Sequence, residues 1–218
     1  SIPRPDRPIP TLYTQEPAQD GERSVVLHMV GDTQMVGLAY HIPAGSHPDF
    51  APVEILSKIL ADTPSGRLYK TVVETKLATS VSAWPMQFHD PGALMINAEV
   101  RQELSAEKAL NELIRVTEAA GATPPSAEEM ERARQMLLKD WETSMRNSEW
   151  AAIGLSEWAA MGDWRLLFIH RDRIRAARPE DVQRVAQAYL RESNRTTGIY
   201  TPTAKPDRTE IPATVDFS

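Results

Sequence analysis

The sequence contains no cysteine. That removes disulfides, thiolate metal sites and cysteine nucleophiles together. It has no apolar run approaching the ~20 residues a helix needs to cross a bilayer. It also lacks the basic head and apolar core of a secretory leader, and the chain, which starts Ser-Ile-Pro-Arg-Pro, is expected to be a piece of a longer polypeptide. There is no surplus of positive charge: 24 Lys and Arg stand against 30 Asp and Glu, for a formal net charge of −6. Binding a phosphate backbone needs a concentrated basic face, so nucleic acid is excluded as a partner. No Walker loop and no G-x-S-x-G elbow occur. "HRDRI" (170–174) begins like a kinase catalytic loop, but it lacks the spaced Asn, and no Gly-rich phosphate loop accompanies it.

What is present is an ordinary globular balance, 41% hydrophobic and 25% charged residues in 218. Residues 1–23 and 204–218 are rich in Pro and charge and read as a linker and a tail around one domain at 24–203. Within that block, "SVVLHMV" (24–30) and "QMVGLAYHI" (34–42) read as strands flanking a Gly31-Asp32 turn. Asp49 is placed to cap a helix that buries Val53, Leu56, Ile59 and Leu60. A short helix from Ser65 follows, then strands at 77–84 and 92–100. His89-Asp90-Pro91-Gly92 has the chemistry of a hairpin turn between them. From Ser105 the pattern is helical. Ser126 and Glu129 form a capping box, Gly162 stops one helix, Asp163 caps the next, and Pro179 opens the last. "RTTGIYT" (195–201) closes the block as a strand. Strands and helices cluster rather than alternate, which predicts an α+β fold with a largely antiparallel sheet packed against helices.

The five histidines are His28, His41, His47, His89 and His170. A peptidase zinc site needs two on one helix face, three or four residues apart, with a carboxylate to activate water. No pair has that spacing. His28 and His41 fall on strands, His47 and His89 in turns, and His170 alone on a late helix. Glu54 sits on the helix after Asp49, with Lys58 four residues on, and reads as a solvated ion pair. Trp141, Trp150, Trp158 and Trp164 read as packing residues rather than an aromatic ligand groove. "NRT" (194–196) fits a glycosylation sequon, a pattern too short to carry weight. From the residues alone, none is assigned as catalytic or metal-binding, and substrate-binding residues are not identified.

Three stretches together resemble peptidase family M16, the insulinase, pitrilysin and mitochondrial processing peptidase group of zinc proteases. They are "VGLAYHIPAGSHPDFAPVEILSKIL" (36–60), "SGRLYKTVVETKLATSVSA" (65–83) and "GDWRLLFIHRDRIRAARPEDVQRVAQAYLRESNRTTGIYTPT" (162–203). The resemblance implies an M16 metallopeptidase-like α+β domain. Catalytic domains of that family carry H-x-x-E-H on the helix equivalent to the one after Asp49. Here that helix opens Pro52, Val53, Glu54, Ile55, Leu56, with no histidine beyond His47 in the turn before it. Non-catalytic halves of the family often contribute an Arg and a Tyr that touch substrate. Val73 and Thr79 stand near those places.

The resemblance therefore implies a non-catalytic domain with no cofactor of its own. Its partners would be a catalytic M16 domain, in cis or in trans and holding zinc, and a peptide in the assembled chamber. A bacterial parent would be periplasmic. Two rival readings are an inactive assembly module, and an independent metalloenzyme built from scattered His, Asp and Glu.

Overall fold

The computed structural model describes residues 17–210. The linker expected over 1–23 and the tail expected over 204–218 lie largely outside the described residues. The strands are β1 (Arg23–Val30), β2 (Gln34–Ile42), β3 (Ser80–Pro85), β4 (Gly92–Val100) and β5 (Arg195–Thr203). The helices are α1 (Phe50–Ala61), α2 (Ala106–Ala119), α3 (Ala127–Arg146), α4 (Ser148–Ala160), α5 (Leu166–Ala176) and α6 (Pro179–Tyr189). The short helix expected from Ser65 is wound as a π-helical turn over Tyr69–Val73.

The sheet runs β1-β5-β2-β4-β3. β1 lies parallel to β5, and the other three pairings are antiparallel. The hairpin between β3 and β4 is present as its turn residues predict. β1 and β2 do not pair, although only residues 31–33 join them; β5 lies between. Gly31 sits in that crossing, close against β5. A Cβ there would meet the Tyr200 hydroxyl at 2.4 Å. That hydroxyl instead donates toward the carbonyls of Met29 and Val30, at 3.4 and 3.3 Å.

Alternation along the strands sorts the sheet into two faces. Val36, Leu38, Tyr40 and Ile42 on β2, with Leu94, Ile96, Ala98 and Val100 on β4, are buried against the helices. The centre of that core is α1, where ten of twelve residues are buried. It is packed against β3 on one side and α3, α5 and α6 on others. A smaller cluster of Trp158, Met161 and Leu167, with Trp141 and Phe168 against it, joins α3, α4 and α5.

Polar bonds fix the ends of these elements. Ser126 and Glu129 form the expected capping box at the start of α3. Arg67, just ahead of the π turn, grips the same Glu129 with two bonds of 2.7 and 2.8 Å. Asp49 does not cap α1 with its side chain. Its carboxylate is taken by Arg184, at 2.7 and 3.0 Å, and by the Tyr189 hydroxyl at 2.8 Å, which ties α6 to the entry of α1. The Arg184 bonds hold the Asp49 carboxyl below the usual range. Gly162, at φ +127, ends α4 as expected.

The Arg67 hydrogen bonds hold the Glu129 carboxyl at about 2, against an ordinary 4.5. A carboxyl depressed on folding stabilises the native state above its unfolded value, and that contribution is lost as pH falls toward its folded value. Urea denaturation should therefore show stability falling between about pH 4.5 and pH 2. Glu129→Gln should cost about 1–2 kcal/mol at neutral pH and flatten that fall. An unchanged pH profile in the variant would remove the Arg67–Glu129 brace from the account.

Candidate functional site

By the M16 resemblance, α1 is the helix on which a catalytic domain is expected to carry its metal ligands. Here its surroundings leave little room for chemistry. Phe50, Ala51, Val53, Ile55 and Leu56 are all buried. Glu54 is the only carboxylate on the helix, and it does not pair with Lys58 at the surface. Its Oε2 lies 2.7 Å from His170 Nε2 on α5. His170 is 7% exposed. Its ring packs at a tilt against Trp158, at 5.0 Å between centroids, and against Phe50, at 5.8 Å. The solvated ion pair expected for Glu54 is thus replaced by a part-buried contact across 116 residues of chain. The sequence carried one signal for it: α1 is apolar beyond a single stripe, so a carboxylate on it needs a partner from another element.

The remaining histidines stay apart. His28 is exposed on β1, and His41 is half-buried on β2. His47 Nδ1 accepts the Asp49 amide at 3.1 Å in the turn before α1. His89 pairs with its neighbour Asp90 in the exposed hairpin turn. Among the described residues no group of three or more His, Asp or Glu side chains is placed to hold a metal ion. Val73 ends the π turn, packed against the core. Thr79 is exposed and spends both its amide and its hydroxyl on the Glu99 carbonyl, at 2.8 and 3.2 Å. Neither presents a hydrogen-bonding head comparable to Arg or Tyr.

The tryptophans divide. Trp158 is buried, and Trp141 packs on Phe168 beneath the Arg171 guanidinium, which lies 4.9 Å over its ring. Trp150 and Trp164 are exposed.

A second feature was not legible in the residues. The sheet face opposite the helices carries a furrow of about 380 Å³. Gly37 and Gly198, paired across β2 and β5, form its floor, and Met35, Ala39, Val25 and Leu27 line it. It is an apolar trough along the strands. A Cβ on Gly37 would meet Asn97 Oδ1 at 2.5 Å, whereas one on Gly198 has 4.0 Å of clearance.

The family model described as the peptidase M16 inactive domain matches residues 1–137. The zinc protease PqqE of Helicobacter pylori is 26% identical over 199 residues, 90% of this chain and 45% of that protein. Among solved structures, the inactive peptidase domain from Bordetella parapertussis is 46% identical, with a TM-score of 0.77 over 84% of this chain and 97% of that one. A protease from Helicobacter pylori superposes with a TM-score of 0.84 at 26% identity, over 90% of this chain and 48% of its own. The chain therefore spans about half the length of the curated relative it matches.

The packing of His170 sets a test. His170→Ala should lower stability by about 2–4 kcal/mol, because it opens a cavity between two aromatic rings and strips Glu54 of its partner. Glu54→Gln should cost about 1 kcal/mol, since the amide still bonds the ring. Chelators should leave the melting temperature of the unmutated chain where it was. A melting temperature that drops on chelation would make the pair part of a metal site.

Proposed function

This chain belongs to peptidase family M16 as an inactive domain, and on that premise we propose that it packs against a catalytic domain of a longer parent protein and walls the chamber where a peptide is held. The observation that carries this reading is α1. A helix buried over ten of its twelve residues, its one carboxylate engaged by His170, keeps the scaffold of a ligand-bearing helix without a donor set for a metal. Zinc, and the water it activates, would belong to the catalytic partner. The relatives' length supports a second domain of similar size.

The contribution of such a domain is geometric. A wall that orients an extended peptide and excludes water raises the rate of a reaction performed by other groups. The furrow over Gly37 and Gly198 suits that role, because it offers apolar width for a side chain along the strands.

The isolated 218-residue chain should cleave no peptide and hold no stoichiometric zinc. Adding it to the catalytic half of the parent should raise kcat/KM by about 10²-fold or more. Gly198→Leu has room to fold and fills the furrow, so in the assembled protein it should raise KM while zinc content stays constant. A catalytic half that is fully active alone would overturn the reading.

A further inference from the structure

β1 is the anomaly of this fold. All eight of its residues are exposed, and they read Arg-Ser-Val-Val-Leu-His-Met-Val. Val25, Val26, Leu27, Met29 and Val30 are each 46–58% exposed. Apolar side chains therefore stand on both faces of an edge strand. Among the described residues it pairs with β5 alone, and none of them pairs along its outer edge. Natural edge strands are kept from pairing by lysines, prolines, bulges or short length. Here no lysine or proline interrupts the strand, and its register with β5 is unbroken over all eight residues.

The face toward the helices is the informative one. Val26 is paired with Ile199, which is paired with Val36, so the three point to the same side of the sheet. Exposure rises across them from 1% at Val36 to 56% at Val26. Val30, four residues along the same face and paired with Thr203, is 54% exposed. The domain's own helix layer ends before it reaches β1. Strands apolar on both faces belong in the covered interior of a sheet.

We infer that β1 is the seam of the assembled protein: a folded companion domain lays an apolar element over Val26 and Val30 and continues the helix layer past β5. This rests on the reading that the parent holds a second domain. Two thinner occupants fit less well. A bound peptide, or a second copy of this chain joined strand to strand, satisfies the outer edge but leaves Val26 and Val30 in water. Only an occupant with depth covers a face. The relatives supply such an occupant, since this chain accounts for 45% and 48% of two of them. The furrow on the opposite face stays free for peptide.

Hydrogen exchange reads the seam directly. The β1 amides bonded to β5 should exchange at least about tenfold more slowly in the longer protein than in the 218-residue chain, where β1 lies at the rim of the sheet. The double variant Val26→Lys/Val30→Lys alters side chains already in water, so the isolated chain should keep its melting temperature. Its affinity for the catalytic half should drop about 10–100-fold. Association with β1 exchange unchanged, or a double variant that binds like the unmutated chain, overturns the seam and leaves the inactive-domain reading standing. No association at all takes down both. β1 amides as slow in a monomeric isolated chain as in the longer protein would show that β1 gains no cover on assembly, and the inference fails.

Discussion

The burial of α1 governs this structure. Ten of its twelve residues are enclosed, with strands on one side and three helices on others. A helix in that position holds the two halves of the core together, and its side chains are chosen by packing. A metal site asks for the opposite: two or three donors on one face, with an open coordination position for water. The one carboxylate on α1 shows how the conflict is resolved. Glu54 points toward α5 and meets a buried imidazole flanked by Phe50 and Trp158. The position that could have been reactive serves instead to join α5 to the central helix.

A second constraint follows from the sheet. Helices cover one face, and the end of the chain returns to lie between its first two strands. Arg195, at the start of β5, is 7% exposed and bonds Glu22 before β1 and Glu118 on α2. Tyr40 donates to the same Glu118, and burial, then the neighbouring carboxylate, pushes its phenol far up. Charges removed from water require partners, and this cluster ties the start of β5 to the approach to β1, to β2 and to α2. The insertion of β5 pushes β1 to the rim, beyond its own helices, and brings Gly198 beside Gly37 to open the furrow.

Much of the fold was legible because its signals are local. The hairpin chemistry of His89-Asp90-Pro91-Gly92, the Ser126–Glu129 capping box, the Gly162 stop and the Pro179 start each depend on residues a few positions apart. Each stands where the sequence places it. The lack of a paired-histidine motif was equally readable. Two errors share one physical origin. Asp49 looked like a cap and Glu54 like half of a surface pair because their neighbours in sequence permit it. Their true partners, Arg184, Tyr189 and His170, lie more than a hundred residues away.

The sequence by itself determined most of the secondary elements and the α+β class, since periodicity and turn chemistry are properties of adjacent residues. Tertiary structure alone decided the rest: that β5 separates β1 from β2, that two distant glycines make one furrow, and that an apolar strand is left uncovered on both faces. Those outcomes depend on which surfaces meet once the chain has closed on itself, and a one-dimensional pattern does not carry that choice.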